Sequence, residues 1–133
     1  MLIGLDTNIL VHATVIQSRV KHEKAKRFLE ELVASGKYLI SLQVIGEYYY
    51  TILRIAPSLK DEALQLIEIL AEPQHLAHYN LQTLNEALRL TTSPRNFWDT
   101  LLALTYLGKG ADAIATENEK DFKGMIRAVN PFK

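Results

Sequence analysis

Four short stretches of this 133-residue chain carry side chains that could do chemistry together. They are LDTNIL around Asp6, IGEYYY around Glu47, NFWDTLLA around Asp99, and TENEKDF from Thr116 to Phe122. Each of the first three sets one carboxylate against a strongly apolar background. An N-cap role would account for Asp6 alone, since an aspartate ahead of a helix accepts an orphan backbone N–H. Asp99, at the start of a helical stretch, would complement that helix's dipole in the same way. Glu47 lies within a helical stretch beside three consecutive tyrosines, where capping explains nothing. Carboxylates brought together repel one another unless their pKa values rise or a cation neutralises them. An all-oxygen set suits a hard divalent ion, Mg²⁺ or Mn²⁺, better than zinc. Such an ion activates water and stabilises charge on a phosphate in transit.

Whether the acids meet depends on the elements that carry them. Leu2–Leu5 is a short apolar run suited to a buried parallel strand. Over 21–34, Ala25, Phe28, Leu29, Leu32 and Val33 fall on one helical face, and Ser35-Gly36 ends that helix. Tyr38–Ile40 reads as a second strand. Ser41 precedes a helix in which Ile45, Tyr48, Tyr49 and Ile52 follow the i, i+3, i+4, i+7 pattern and which runs out before Pro57. Leu64, Ile67 and Leu70 give a helix over 61–71, and Leu76–Tyr79 reads as a third strand. Asn80 is the expected N-cap of a helix over 81–90, followed by a loop over 91–94. Phe97–Leu107 is a strongly apolar helix closed by Gly108 and Gly110. Ala113–Ala115 reads as a fourth strand, Asn118–Lys123 as a short helix and Arg127–Val129 as a last strand.

This alternation predicts an α/β domain around a central, mostly parallel sheet of four to five strands. In such sheets ligands gather at the carboxyl ends of the strands, and Asp6 and Thr116 each directly follow one. No repeat, linker or low-complexity tract interrupts the chain, so residues 1–133 read as one domain.

Composition narrows the classes. Hydrophobic residues make up 48% and charged residues 23%, as in ordered globular proteins, and the formal net charge is zero. The charge is uneven: His12–Lys60 carries eight Lys/Arg against four Asp/Glu, whereas Asp61–Leu90 carries one against five. That permits a basic face, and a solvated helix surface accounts for it equally well. The absence of cysteine excludes disulfides, thiolate metal sites and cysteine nucleophiles. No apolar stretch reaches about 20 residues and the first ten residues lack a basic leader, so the expectation is a cytoplasmic protein with no membrane span.

Taken in order, LDTNIL, IGEYYY, NFWDTLLA, ATENEKDF and the closing VNPF resemble the PIN-domain family over essentially the whole chain. Within it they look most like the VapC-type toxin ribonucleases of toxin–antitoxin pairs. The resemblance implies a three-layer α/β/α sandwich and a Mg²⁺- or Mn²⁺-dependent endoribonuclease. Asp6, Glu47 and Asp99 match the family's first three acids and would be the metal ligands. The fourth position is Asp in many relatives and is Asn118 here, an amide that offers an oxygen but no charge. Asp121, one helical turn on, is the candidate to replace it. Thr7, Asn8 and Thr116 would then orient carboxylates or water.

The partners implied are an RNA substrate, a small antitoxin and a second copy of the chain. Lys21, Lys24, Lys26, Arg27, Arg95, Lys120 and Lys123 are candidate phosphate contacts. Tyr48, Tyr49 and Tyr50 with Ile52 and Leu53 fit an antitoxin or dimer surface, and core packing accounts equally well for Tyr48 and Tyr49. A haloacid-dehalogenase-type phosphatase would need a second aspartate at position 8, which is Asn. A non-catalytic PIN-like module that binds RNA or a partner is the remaining alternative, with Asn118 its only sequence support.

Overall fold

Five strands form one sheet in the computed structural model, which describes every residue from Met1 to Lys133. They are β1 (Ile3–Leu5), β2 (Tyr38–Ser41), β3 (Leu76–Ala77), β4 (Ala113–Ala115) and β5 (Ala128–Val129). Their spatial order is β3-β2-β1-β4-β5, and every pairing is parallel. The sheet is thus wholly rather than mostly parallel. Strands β1, β2 and β4 are buried along their whole length. That is why they read as unbroken apolar runs rather than as alternating ones: both faces are covered.

The covering helices are α1 (Thr7–Thr14), α2 (Arg19–Ser35), α3 (Leu42–Ile55), α4 (Lys60–Leu70), α5 (Leu81–Leu90) and α6 (Phe97–Gly108). Helix α1 packs on both α2 and α3, α3 packs on α4, and α5 packs on α6. The chain first builds outward from β1 to β2 to β3, then crosses back to lay β4 on the other side of β1. Growth of the sheet reverses between β1 and β4, and a crevice opens at such a reversal.

Local chemistry sets the ends of the elements. Ser41 Oγ accepts from Val44 N at 3.0 Å to start α3, and Asn80 Oδ1 accepts from Thr83 N at 2.9 Å to start α5. Gly36 closes α2 in the left-handed region at φ 69°, where a side chain would be strained. One side chain braces the edge that carries the site. Tyr106 of α6 is fully buried, its hydroxyl donating to Leu5 O and accepting from Ser41 N. It therefore ties the carboxyl ends of β1 and β2 together from below. Its ring lies so close to Gly4 that any Cβ there would overlap it.

Several expectations change. Helix α1 had no counterpart in the sequence reading, because Ile9, Leu10, Val11 and His12 are buried in succession and leave no polar face to set a period. The third strand ends at Ala77 rather than Tyr79, and His78 and Tyr79 are exposed. Residues 118–123 form no α-helix; Glu119–Phe122 is a single 3₁₀ turn pinned by the buried Phe122. Val33 and Leu64 lie exposed, because the buried stripe of α2 runs through Ala25, Leu29 and Leu32 and that of α4 through Ala63 and Leu70. No helix is long and apolar enough to cross a membrane.

Candidate active site

Asp6 stands where β1 ends and α1 begins. Its backbone N–H completes the ladder to β4 by donating to Ala115 O at 3.0 Å, and its carboxylate caps α1 by accepting from Thr7 N at 2.8 Å. The capping account of Asp6 is therefore correct as far as it goes. The same carboxylate also accepts from Thr116 Oγ at 2.7 Å and from Asn8 Nδ2 at 3.1 Å. Thr116 is fully buried after β4, and its hydroxyl accepts in turn from Asn8 Nδ2 and from the Asn118 backbone N–H. Asn8 Oδ1 accepts from Glu117 N at 3.1 Å. The turns after β1 and β4 are thus stitched together across the reversal point of the sheet, with Asp6 at the centre.

The other acids close around it. Asp6, Glu47, Asp99, Glu117 and Asp121, together with Asn118, line one cleft of about 350 Å³. No Lys or Arg stands among the cleft's lining residues, and Val11 is the only hydrophobic one. Glu47 reaches the cleft from the exposed side of α3 rather than from a buried face. It is held there by Thr7 Oγ at 3.0 Å and by Gln43 Nε2 at 2.9 Å. Asp99, in the first turn of α6, has no hydrogen-bond partner for its carboxylate. Burial first, and then the charges of Asp121, Asp6 and Glu47, push its pKa up to about 6. Burial also raises Asp6, against the bonds from Thr116, Thr7 and Asn8 that favour its anion.

Asn118 sits at the rim with its amide unpaired, and Asp121 follows in the 3₁₀ turn. The pairing of Asp121 with Lys120 or Lys123 that its position allowed is not formed. The acids share a cleft without forming a closed cage: no three His, Asp or Glu side chains are placed to hold an ion by themselves. Asp6, Glu47 and Asp99, the expected ligands, nonetheless line the same cleft. The donor set still fits Mg²⁺ or Mn²⁺, because Mg²⁺ keeps several waters and takes only one or two carboxylates plus substrate oxygens.

Three residues escaped the sequence reading. Glu117 lines the cleft paired with His12 Nε2 and Lys21 Nζ, both at 3.1 Å, which together hold its pKa down against the cost of burial. His12 stands four residues after Asn8, one turn on along α1, a spacing that would have exposed it had that helix been read. Tyr106 carried no signal beyond its place in an apolar helix. Among the candidate phosphate contacts, Arg95, Lys120 and Lys123 line an adjoining groove of about 580 Å³ that shares Asp99 and Asp121 with the cleft. Lys21 is committed to Glu117, Lys24 bonds Phe132 O at 3.2 Å, and Lys26 lines a separate groove between α2 and α4. Arg27 is exposed on α2 and lines neither the cleft nor the adjoining groove. Of the tyrosine run only Tyr50 is well exposed; Tyr48 and Ile52 are core, Tyr49 is half-buried and Leu53 is exposed.

The PIN-domain family model matches residues 3–127. The chain belongs to the PIN-domain family.

Solved structures agree on the fold of this PIN domain. FitAB bound to an IR36 DNA fragment is 15% identical with a TM-score of 0.77, over 99% of this chain and 96% of that one. VapC20 of Mycobacterium tuberculosis, a Sarcin-Ricin loop cleaving toxin, is 19% identical with a TM-score of 0.67, over 93% of this chain and 96% of that one. VapBC2 of Rickettsia felis, bound to a DNA fragment from their promoter, is 20% identical with a TM-score of 0.65, over 98% of both chains. No relative was found among curated protein sequences.

Proposed function

We propose that this PIN domain is a Mg²⁺- or Mn²⁺-dependent endoribonuclease, the toxin of a cytoplasmic type II toxin–antitoxin pair. One observation carries the reading. A cleft at the reversal point of a parallel sheet gathers five acids with no Lys or Arg among its lining residues, one of them with its pKa pushed to about 6. Strained titratable groups of this kind mark functional sites, and this pattern asks for a cation. Asp6, Asp99 and Glu47 would hold it, with Asp121 adding charge. Bound there, the ion would lower the pKa of a water and neutralise charge on the phosphate under attack.

The chain's own residues prepare that chemistry. Thr116 and Asn8 hold the Asp6 carboxylate in one orientation, and Thr7 and Gln43 hold Glu47. The free amide of Asn118 is placed to orient water at the rim. Arg95, Lys120 and Lys123 draw the neighbouring phosphates along the adjoining groove. Attack by water with departure of the 3′-oxygen leaves a 5′-phosphate and a 3′-hydroxyl. The likeness to a VapC toxin and to the FitAB and VapBC2 structures supports an antitoxin partner, and exposed Tyr50 and Leu53 offer a surface for it or for a second copy.

The test is cleavage of structured RNA by purified protein in Mn²⁺, abolished by chelation and by Asp6→Asn. RNA binding that persists in Mn²⁺ without any cleavage would replace the enzyme with a non-catalytic binding module.

A further inference from the structure

The same sheet edge carries a second pocket that the acids leave unused. It holds about 410 Å³ and is walled by His78 and Tyr79 just past β3, Ser41 and Gln43 around the start of α3, and Trp98 in the first turn of α6. Trp98 is 56% exposed and Tyr79 40%, so the pocket presents aromatic surface to solvent. Phe97 packs against the indole with ring centroids 4.9 Å apart at 75°, an edge-to-face contact that holds it in place. Gln43 Nε2 donates to Glu47, while its Oε1 is enclosed without any hydrogen-bond partner. Native structures leave few such oxygens unsatisfied, because each costs free energy.

We propose that this pocket seats a nucleobase of the RNA beside the scissile phosphate, stacked on Trp98 and Tyr79 with an exocyclic amine donated to Gln43 Oε1. The inference rests on the ribonuclease reading. All five strands are parallel, so their carboxyl ends share one edge: Asp6 lies past β1 and Glu117 and Asp121 past β4, with Glu47 and Asp99 reaching in from α3 and α6, and the aromatic pocket lies past β2 and β3. Adjacent strands are about 4.8 Å apart, which sets the pocket within roughly 5–15 Å of the acids, a short run of nucleotides. Two covalent or hydrogen-bonded links join them, Trp98 to Asp99 in sequence and Gln43 to Glu47 in space. On the far side of the acids lies the groove of Arg95, Lys120 and Lys123, none of them in an ion pair. Free cations on one flank and aromatic faces on the other are the two halves of a single-strand binding track. Stacking accepts any base, but where cytosine presents its N4 amine uracil presents the O4 carbonyl, an acceptor that the Gln43 oxygen repels, so cytosine is favoured over uracil.

Trp98 is the only tryptophan, so intrinsic fluorescence reads the pocket directly. The full chain carrying Asp6→Asn, in Mg²⁺, is titrated with CMP, with UMP and with a mixed-sequence single-stranded RNA. The expected result is quenching by the RNA and tighter binding of CMP than UMP, the difference erased by Gln43→Leu. In the otherwise native protein, Trp98→Ala should raise KM for RNA by roughly five- to a hundredfold, more than it lowers kcat, and Trp98→Phe should restore most of the loss. RNA cleaved by native protein without quenching of Trp98 in the Asp6→Asn chain would overturn the base pocket and leave the ribonuclease standing. Quenching by RNA that native protein never cleaves would keep the pocket and remove the ribonuclease. Trp98→Ala that leaves KM unchanged but dissolves a dimer or an antitoxin complex would make this face a protein interface and overturn the proposal.

Discussion

The two sides of the acidic cleft are built differently. On the β1/β4 side, Asp6 is fixed by three donors from Thr7, Asn8 and Thr116, and the turn behind it is fixed by Glu117, His12 and Lys21. On the α6 side, Asp99 has no donor at all, and its nearest company is more negative charge from Asp121. The first side is preorganised, with every oxygen of the Asp6 carboxylate bonded. The second is held by its helix alone and carries the unrelieved electrostatic cost. A cation entering the cleft therefore gains orientation from one wall and relieves repulsion at the other. Position and affinity are divided between two sets of residues.

Charge-removing substitutions break both walls. Asp6→Asn and Asp99→Asn should each lower RNA cleavage by orders of magnitude, about 10²-fold or more, because each removes charge that a metal and its water depend on. The pair separates in stability. Asp6→Asn keeps a good N-cap and should change little, whereas Asp99→Asn should raise the melting temperature of metal-free protein. Near-native cleavage by either purified variant would remove it from the site.

Loosening the organised wall without touching its charge is the next largest effect. Thr116→Val removes the hydroxyl that bonds Asp6, Asn8 and the Asn118 backbone, leaving buried polar groups short of a partner. A cost of about 1–3 kcal/mol in stability and a 10- to 100-fold fall in cleavage are expected. Denaturant melts and initial rates check both; a variant as active as the native protein would mean that Asp6 does not need this brace.

The charge that faces Asp99 is sharpened through the fourth position, in the turn after β4. Asp121→Asn should weaken Mn²⁺ binding by roughly 10- to 100-fold, and Asn118→Asp should tighten it by adding a charged oxygen. Isothermal titration of Mn²⁺ distinguishes them. Equal affinities for native protein and both variants would leave the site with Asp6, Glu47 and Asp99 only.

The smallest effect is a dependence of stability on pH. The folded pKa of Asp99 is raised from 3.8 to about 6, so the native state binds this proton more tightly than the unfolded chain does. Stability should therefore rise as pH falls from about 6 toward about 4, and be lost as pH climbs back through that window. Asp6, also raised, acts in the same direction; Glu117, lowered, opposes it only near and below 4.5. Metal-free protein should melt higher at pH 5 than at pH 7, and Asp99→Asn should flatten the difference. A native protein more stable at pH 7, with Asp99→Asn unchanged from it, would contradict the assignment.

The order of strands and helices, the caps at Ser41 and Asn80, the closing Gly36 and the acids Asp6, Glu47 and Asp99 were legible in the sequence. Buried parallel strands must be apolar runs, amphipathic helices must repeat near 3.6 residues, and caps need particular side chains, so each leaves a local mark. Helix α1 left none, since Ile9 to His12 are buried in succession and give no polar stripe to reveal a period. Thr7, Asn8 and Thr116 were named through the family resemblance, but the contacts that join the turns after β1 and β4 were beyond any local reading. Thr116 lies 110 residues from Asp6, Tyr106 acts through Leu5 across 101, and Glu117 meets Asn8 across 109. Those contacts exist because β4 returns to lie beside β1, a pairing set by how the whole sheet buries its faces. Residue types fixed which groups could hold a cation. Only the tertiary structure decided which wall is braced, which is bare, and which aromatic faces stand beside them.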